Sequence, residues 1–339
     1  MLLSDYDQAA VRRARAAHQK LLDFHNDRKR NPPAPRTGRL FHYTSAAGIK
    51  GIIENNELWA SSAYFLNDPT EVIYGYSVLK DVLDGWIAQN QQPENSLSLG
   101  IARDFQRSFE QDISNTGVIR PIYLACFCEE DNLLSQWRTY GEQGGYSLGF
   151  QVPAPDLTAG QGFKPEPTTL TSKWVKVEYD RDEQIKKCGA VLESLLAIFD
   201  DPATGEAVAN IGSHPLFGYP VLRQTLADIL MEEIVGFKNQ AFEVEKEWRV
   251  VVRQRELTKQ GTDDGGKTPT RVHFRSSRGT LVPYVKLVPT DPASKLPIAC
   301  VRSGPTLDKA TAGMAVGMML YANGFTGVRV QGSDIPVRF

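Results

Sequence analysis

Glu245 and Glu247 stand two residues apart in Glu-Lys-Glu-Trp-Arg, at the start of the most β-branched stretch of the chain. Strand alternation predicts both carboxylates on one face, with Lys246 on the other. Two carboxylates lining a cleft can accept a hydrogen bond from a sugar hydroxyl and stabilise positive charge developing at an anomeric carbon. The same residues also suit an exposed edge strand with a salt-bridged glutamate. A second candidate is His42 in His-Tyr-Thr, where a strand runs directly into a helix and so brings polar and aromatic side chains to a cleft edge. An imidazole there can donate to a ribose hydroxyl, or it can be a satisfied core histidine beside Tyr43.

Three further groups carry chemistry in type and spacing. Asn67, Asp68 and Glu71 occupy a loop and a helix start, where carboxylates either cap the helix or mark a loop beside a site. Arg138, in Ser135-Gln-Trp-Arg-Thr-Tyr-Gly, offers a guanidinium and two aromatics suited to pyrophosphate or a ring, or an ion pair with an internal carboxylate. Arg271, His273 and Arg275 recur every second residue, with Arg278 beyond them, a positive stripe that can follow a nucleic-acid backbone or simply coat a sheet face. One formal motif is set aside: Gly261-Thr-Asp-Asp-Gly-Gly-Lys267-Thr268 fits a phosphate-binding loop, but Pro269 and a strand-like Arg271-Val-His-Phe follow where a helix is needed.

The elements that must position these groups alternate irregularly. Strands are predicted at Arg39 to Thr44, Glu57 to Ser62, Ile122 to Cys128, Tyr146 to Val152, Trp174 to Tyr179, Glu247 to Arg253, Val282 to Leu287, Ile298 to Arg302 and Gly327 to Gln331. Helices are predicted at Ala46 to Asn55 behind Ser45, Glu71 to about Ala88 behind Thr70, Glu183 to Phe199, Leu222 to Val235 and Lys309 to Asn323, stopped by Gly324. Short strands far apart in sequence, without regular βαβ alternation, predict an α+β fold with a mixed or antiparallel sheet. Residues 1–38 read as a separate segment, a basic helix and a Pro-rich linker, ahead of one elaborated domain at 39–339. That segment and Arg39 hold nine Arg or Lys against four Asp.

The 339 residues, 41% hydrophobic and 23% charged, can bury a sizeable core, which excludes a disordered or stapled mini-scaffold. With 38 Lys and Arg against 40 Asp and Glu, any attraction to nucleic acid must come from a local patch. Four scattered cysteines give neither a disulfide framework nor paired zinc ligands, and an acidic start with no long apolar run points to a cytoplasmic protein without a membrane anchor.

The motifs occur in the order His-Tyr-Thr (42–44), Phe-Leu-Asn-Asp-Pro-x-Glu (65–71), Ser-x-Trp-Arg-x-Tyr-Gly (135–141), Glu-Lys-Glu-Trp-Arg (245–249) and Ser-x-Ile-Pro-x-Arg (333–338). That order resembles a widespread bacterial domain family of unknown function over roughly residues 39–339. More distantly, Phe41-His-Tyr-Thr with Gly48-Ile-x-x-Ile and a following short strand is similar to the opening of DarT-like ADP-ribosyltransferases. The resemblance implies an ADP-ribosyltransferase-like split mixed/antiparallel sheet with surrounding helices, and an enzyme that consumes NAD. It implies a toxin or phage-defence effector that modifies nucleic acid or protein, with an antitoxin or phage component as partner. Glu247 would be catalytic, at the nicotinamide ribose; His42 would hold a ribose, and Tyr64 or Tyr43 would stack on nicotinamide. Thr44, Asn67 and Arg138 would complete the NAD site, with Asp68, Glu71 and Glu245 toward the acceptor. That arrangement requires His42 and Glu247 to face one another across one groove. The alternatives are a non-catalytic nucleic-acid-binding sensor and an NAD-independent nucleotide or glycoside hydrolase using Glu245, Glu247 and Asp68.

Overall fold

The computed structural model describes residues 12, 15–16, 19–24, 38–66, 70–91, 97–114, 122–140, 144–152, 163–166, 170–200, 219–254, 272–277 and 279–336. Asn67, Asp68, Arg271, Arg278, the Gly261 to Thr268 loop and most of the predicted N-terminal helix lie outside them. Among the described residues no helix is long and apolar enough to cross a membrane.

Strand β3 (Ile122–Cys128) organises the molecule. Its Ile-Tyr-Leu-Ala-Cys-Phe-Cys sequence is apolar at every position, as a strand covered on both faces must be. Along one edge it pairs with β7 (Glu247–Gln254) from Ile122↔Arg253 to Cys128↔Glu247. Its other edge is divided. Strand β1 (Arg39–Ser45) meets it at Cys128, whereas β2 (Leu58–Ser62) meets it at Tyr123 and Leu124. The sheet therefore forks at β3. One branch continues from β1 to β4 (Gly145–Gln151), β10 (Ile298–Ser303) and β11 (Arg329–Gly332). The other continues from β2 to β9 (Thr280–Pro289), which carries β5 (Phe163–Glu166) and β8 (His273–Ser277). Strand β6 (Leu170–Lys176) borders β7. Among the described residues β10 and β11 pair in parallel and the other ladders are antiparallel, so the fold is α+β with one mixed sheet.

Helices cover the two faces. Ile122, Leu124 and Val251 pack under α2 (Thr70–Gln89), α3 (Leu97–Ser114), α5 (Arg181–Asp200) and α6 (Tyr219–Ile234). Leu40, Tyr123, Ala125, Phe127 and Trp248 pack on the other side with α1 (Ala46–Asn55) and α7 (Lys309–Ala322). The short α4 (Leu134–Tyr140) lies at the end of β3. Both ends of α1 follow from its sequence: Ser45 Oγ accepts from the Gly48 amide at 3.2 Å, and Asn56 closes the helix in the left-handed region at φ 54°. Asp308 caps α7 in the same way, through the Thr311 amide.

Two expectations change. Helix α3 was not foreseen; its sequence is polar on average, although its apolar residues do recur on one face. Glu245 is not in a strand. It ends a 3-10 turn, Gln240–Glu245, and Lys246 at φ 43° reverses the chain before β7 starts at Glu247. Leu21, from the N-terminal segment, is fully buried in the core under α2, α5 and α6.

Candidate functional site

The Glu-Lys-Glu-Trp-Arg segment enters a buried charge network. Lys238, 5% exposed, places its ammonium 2.7 Å from Glu245, 2.8 Å from Glu71 and 3.0 Å from Glu247, one carboxylate for each of its protons. Arg249, 1% exposed, donates to both Glu247 oxygens at 2.9 and 3.0 Å, to Glu71, and to the Val235 carbonyl at 2.6 Å. The Glu247 amide donates to the Tyr179 hydroxyl. Three acids and two bases from α2, the 3-10 turn, β7 and the segment after α6 thus meet at the end of β3.

The two β7-side carboxyls differ in environment. Burial opposes ionisation of Glu247, but Arg249 and then Lys238 outweigh it and hold the carboxyl at about 2. Glu245 is pushed above the ordinary carboxylate range, first by burial and then by its acidic neighbours Glu247 and Glu71, against the pull of Lys238. Neighbouring carboxyls that their surroundings push to opposite sides of the usual value are the pattern by which acid and base roles divide. Glu245 is also the more open, its side chain 18% exposed against 7% for Glu247.

His42 occupies the fork. Its Nδ1 meets the Cys126 carbonyl at 2.9 Å, on the β3 edge between the stretches taken by β1 and β2. Burial lowers its pKa, the Cys126 bond partly offsets this, and the nearby Arg275 guanidinium lowers it further. The ring is therefore neutral at neutral pH, with Nδ1 protonated toward the carbonyl and Nε2 an acceptor.

The expected apposition of His42 and Glu247 is corrected here. Directly paired residues share a face, so Phe41, Cys128 and Glu247 lie together and His42, one residue on, projects to the opposite face. Its ring lies 5.6 Å from that of Phe127, in the core under α1. The side chains of His42 and Glu247 therefore line different sides of β3, with Cys126 between them. The shared side for Glu245 and Glu247 also has another cause than strand alternation: the left-handed Lys246 returns both to Lys238.

The other candidates divide. Glu71 and Glu245 join the network. The Tyr43 hydroxyl donates to the Glu130 carbonyl and accepts from the Leu133 amide, and its ring packs edge-on against Trp137, which ties it to α4. Thr44 rests on the first turn of α1, where a Cβ added to Gly48 would come within 1.8 Å of its hydroxyl. The Tyr64 hydroxyl lies 3.5 Å from that of Tyr76, and its ring packs against the core under α2. Arg138 is exposed on α4. Lys238 was missed, and Arg249 was quoted in a motif without a role; nothing in local period marks either as the partner of three distant acids.

No curated protein and no solved structure matches this chain. Residues 136–250, which carry Lys238, Glu245, Glu247 and Arg249, match the family described as "Protein of unknown function (DUF2971)".

Proposed function

We propose that the chain consumes NAD and transfers its ADP-ribose to nucleic acid or protein, as a toxin or phage-defence effector would. One observation carries the reading. Ser61, which binds Arg275, lies opposite Leu124, while Glu247 lies opposite Cys128, on the same face of β3. Four residues of strand separate them, about 13 Å, the scale of a dinucleotide. Glu245, the more open carboxyl, meets the nicotinamide ribose in this reading. Glu247, fixed as an anion by Arg249 and Lys238, adds negative charge behind it. Breaking the nicotinamide–ribose bond creates an oxocarbenium-like centre, which such a preorganised carboxylate stabilises more than it stabilises NAD.

The test is release of nicotinamide and transfer of label from labelled NAD, with nucleic acids and cell lysate as acceptors. Glu245→Gln is expected to lower turnover by about 100- to 1000-fold, the usual effect of losing one such contact. A wild-type protein that leaves NAD intact across all acceptors overturns the reading. Cleavage of a nucleotide or glycoside with no NAD present supports the hydrolase instead.

A further inference from the structure

We propose that Arg275, Tyr284 and Ser61 form an oxyanion site for a phosphate or sulfate group, on the β2, β8 and β9 part of the sheet face that carries Glu247. The site rests on a guanidinium without a counter-anion and not on the transferase reading. His42, on the other face, takes no part in it.

Register brings the three side chains together. Ser61 lies opposite Leu124 on one neighbouring strand and opposite Tyr284 on the other, so both share the face of Leu124 and, four residues on, of Cys128 and Glu247. Tyr284 in turn lies opposite His273, and Arg275, two residues further along β8, projects to the same side. Trp59, opposite Lys286, completes the row. The Trp59 and Tyr284 rings stack with centroids 4.3 Å apart, and His273 stacks on Tyr284 from β8 at 5.4 Å. With its ring held between two others, Tyr284 offers a ligand its hydroxyl, which has no hydrogen-bond partner among the described residues.

The charges on this face are matched except one. Arg249 lies on Glu247, Arg253 on Glu232 and Lys286 on Glu57, which also accepts from the Trp59 indole. Arg275 is half-buried, and among the described residues its one hydrogen bond is to a neutral group, Nη2 to Ser61 Oγ at 3.1 Å. Burial lowers its pKa, and the opposing pull comes from Tyr284 and not from a carboxylate. Withdrawing a guanidinium from water without a counter-anion is costly, and a bound anion removes that cost. The planar guanidinium presents paired donors to a tetrahedral oxyanion, while the Tyr284 hydroxyl and that of Ser61, 8% exposed, can turn their protons to its remaining oxygens.

Calorimetric titration of inorganic phosphate, sulfate and pyrophosphate into the full chain, in a buffer free of other oxyanions, tests this. Wild type is expected to bind them, more weakly as salt rises. Tyr284→Phe, which keeps the ring stack, should bind about tenfold more weakly, the worth of one hydrogen bond to a charged group. Arg275→Leu should bind more weakly still, with Arg275→Lys between it and wild type. Thermal melts establish that each variant is folded, and Tyr284→Phe keeps the test open if the arginine variants are not. No oxyanion binding by wild type, or equal affinity in wild type and the folded variants, overturns the proposal. Displacement of bound phosphate by NAD assigns the site to the diphosphate of a dinucleotide; phosphate binding untouched by NAD assigns it to a free oxyanion. Arg275-dependent phosphate binding by a protein that never consumes NAD retains the site and removes the transferase, and NAD turnover without oxyanion binding does the reverse.

Discussion

At the scale of the residue, the buried network sets the electrostatic character of the site. Removing one partner from a buried ion pair leaves its neighbours charged and unpaired, at a cost of about 3–5 kcal/mol. Glu247→Gln keeps the shape but leaves Arg249 and Lys238 with Glu71 and Glu245 alone, so we expect a loss toward the lower end of that range in chemical denaturation at pH 7. The pH dependence has a definite sign. Glu247 has a folded value of about 2 against an ordinary 4.5. A depressed carboxyl stabilises the fold fully above its unfolded value, and that stability is lost as pH falls through the folded one. The shift corresponds to roughly 3 kcal/mol. The stability gap between wild type and Glu247→Gln should therefore be constant above about pH 5 and narrow between pH 4.5 and 2. Glu245, raised by its surroundings, runs the opposite way, and it cancels only in part because the Glu247 charge is one of the causes of its shift. A gap that stays flat to pH 2 would mean the ion pairs are not formed in solution.

At the scale of the element, motifs that read as chemistry in sequence act as a clamp in the fold. Helix α4 has seven residues, too few to persist alone. The buried Trp137 indole donates to Asn132 Oδ1 at 3.0 Å, Ser333 Oγ donates to the same oxygen at 2.7 Å, and Asn132 Nδ2 donates to Asp334. Arg302 and Gln331 both donate to Asp131, and Ile335 packs on Tyr43, Cys128 and Trp137. The Ser-x-Trp-Arg and Ser-x-Ile-Pro motifs thus hold the end of β3 from two sides, which explains Ser135 to Tyr140 without a ligand. Asn132→Ala should lower stability by about 1–3 kcal/mol, because it orphans an indole N–H that has no access to water. An unchanged denaturation midpoint would show that the clamp is not closed. Elements with local punctuation were legible: α1 and α7 in their caps, β3 in its unbroken apolar run and β7 in its β-branched one. The fork was not, because register between strands separated by scores of residues leaves no trace in local period. For the same reason the sequence could place His42 and Glu247 on early and late strands but could not say that one residue of offset turns them to opposite faces.

At the scale of the whole molecule, the sheet ties the ends of the chain together: β1 begins at Arg39 and β11 ends at Gly332, within one hydrogen-bonded system. The segment matched to the family, residues 136–250, is therefore not a unit that can fold alone. It contains β4, whose partners β1 and β10 lie outside it, and β5, whose partner β9 does too. Its internal ladder is β6 with β7, and β7 loses β3. Two strands paired only with each other are marginal in water. Helices α5 and α6 would keep each other but lose α2 and α3, and Lys238 and Arg249 would lose Glu71. Expressed as a fragment, residues 136–250 should show no cooperative unfolding transition, whereas the full chain should unfold with coincident transitions by far-UV circular dichroism and tryptophan fluorescence. A fragment that melts cooperatively would mean that the unit of folding is smaller than the sheet, and that the fork and the charge network are assembled from separately stable parts.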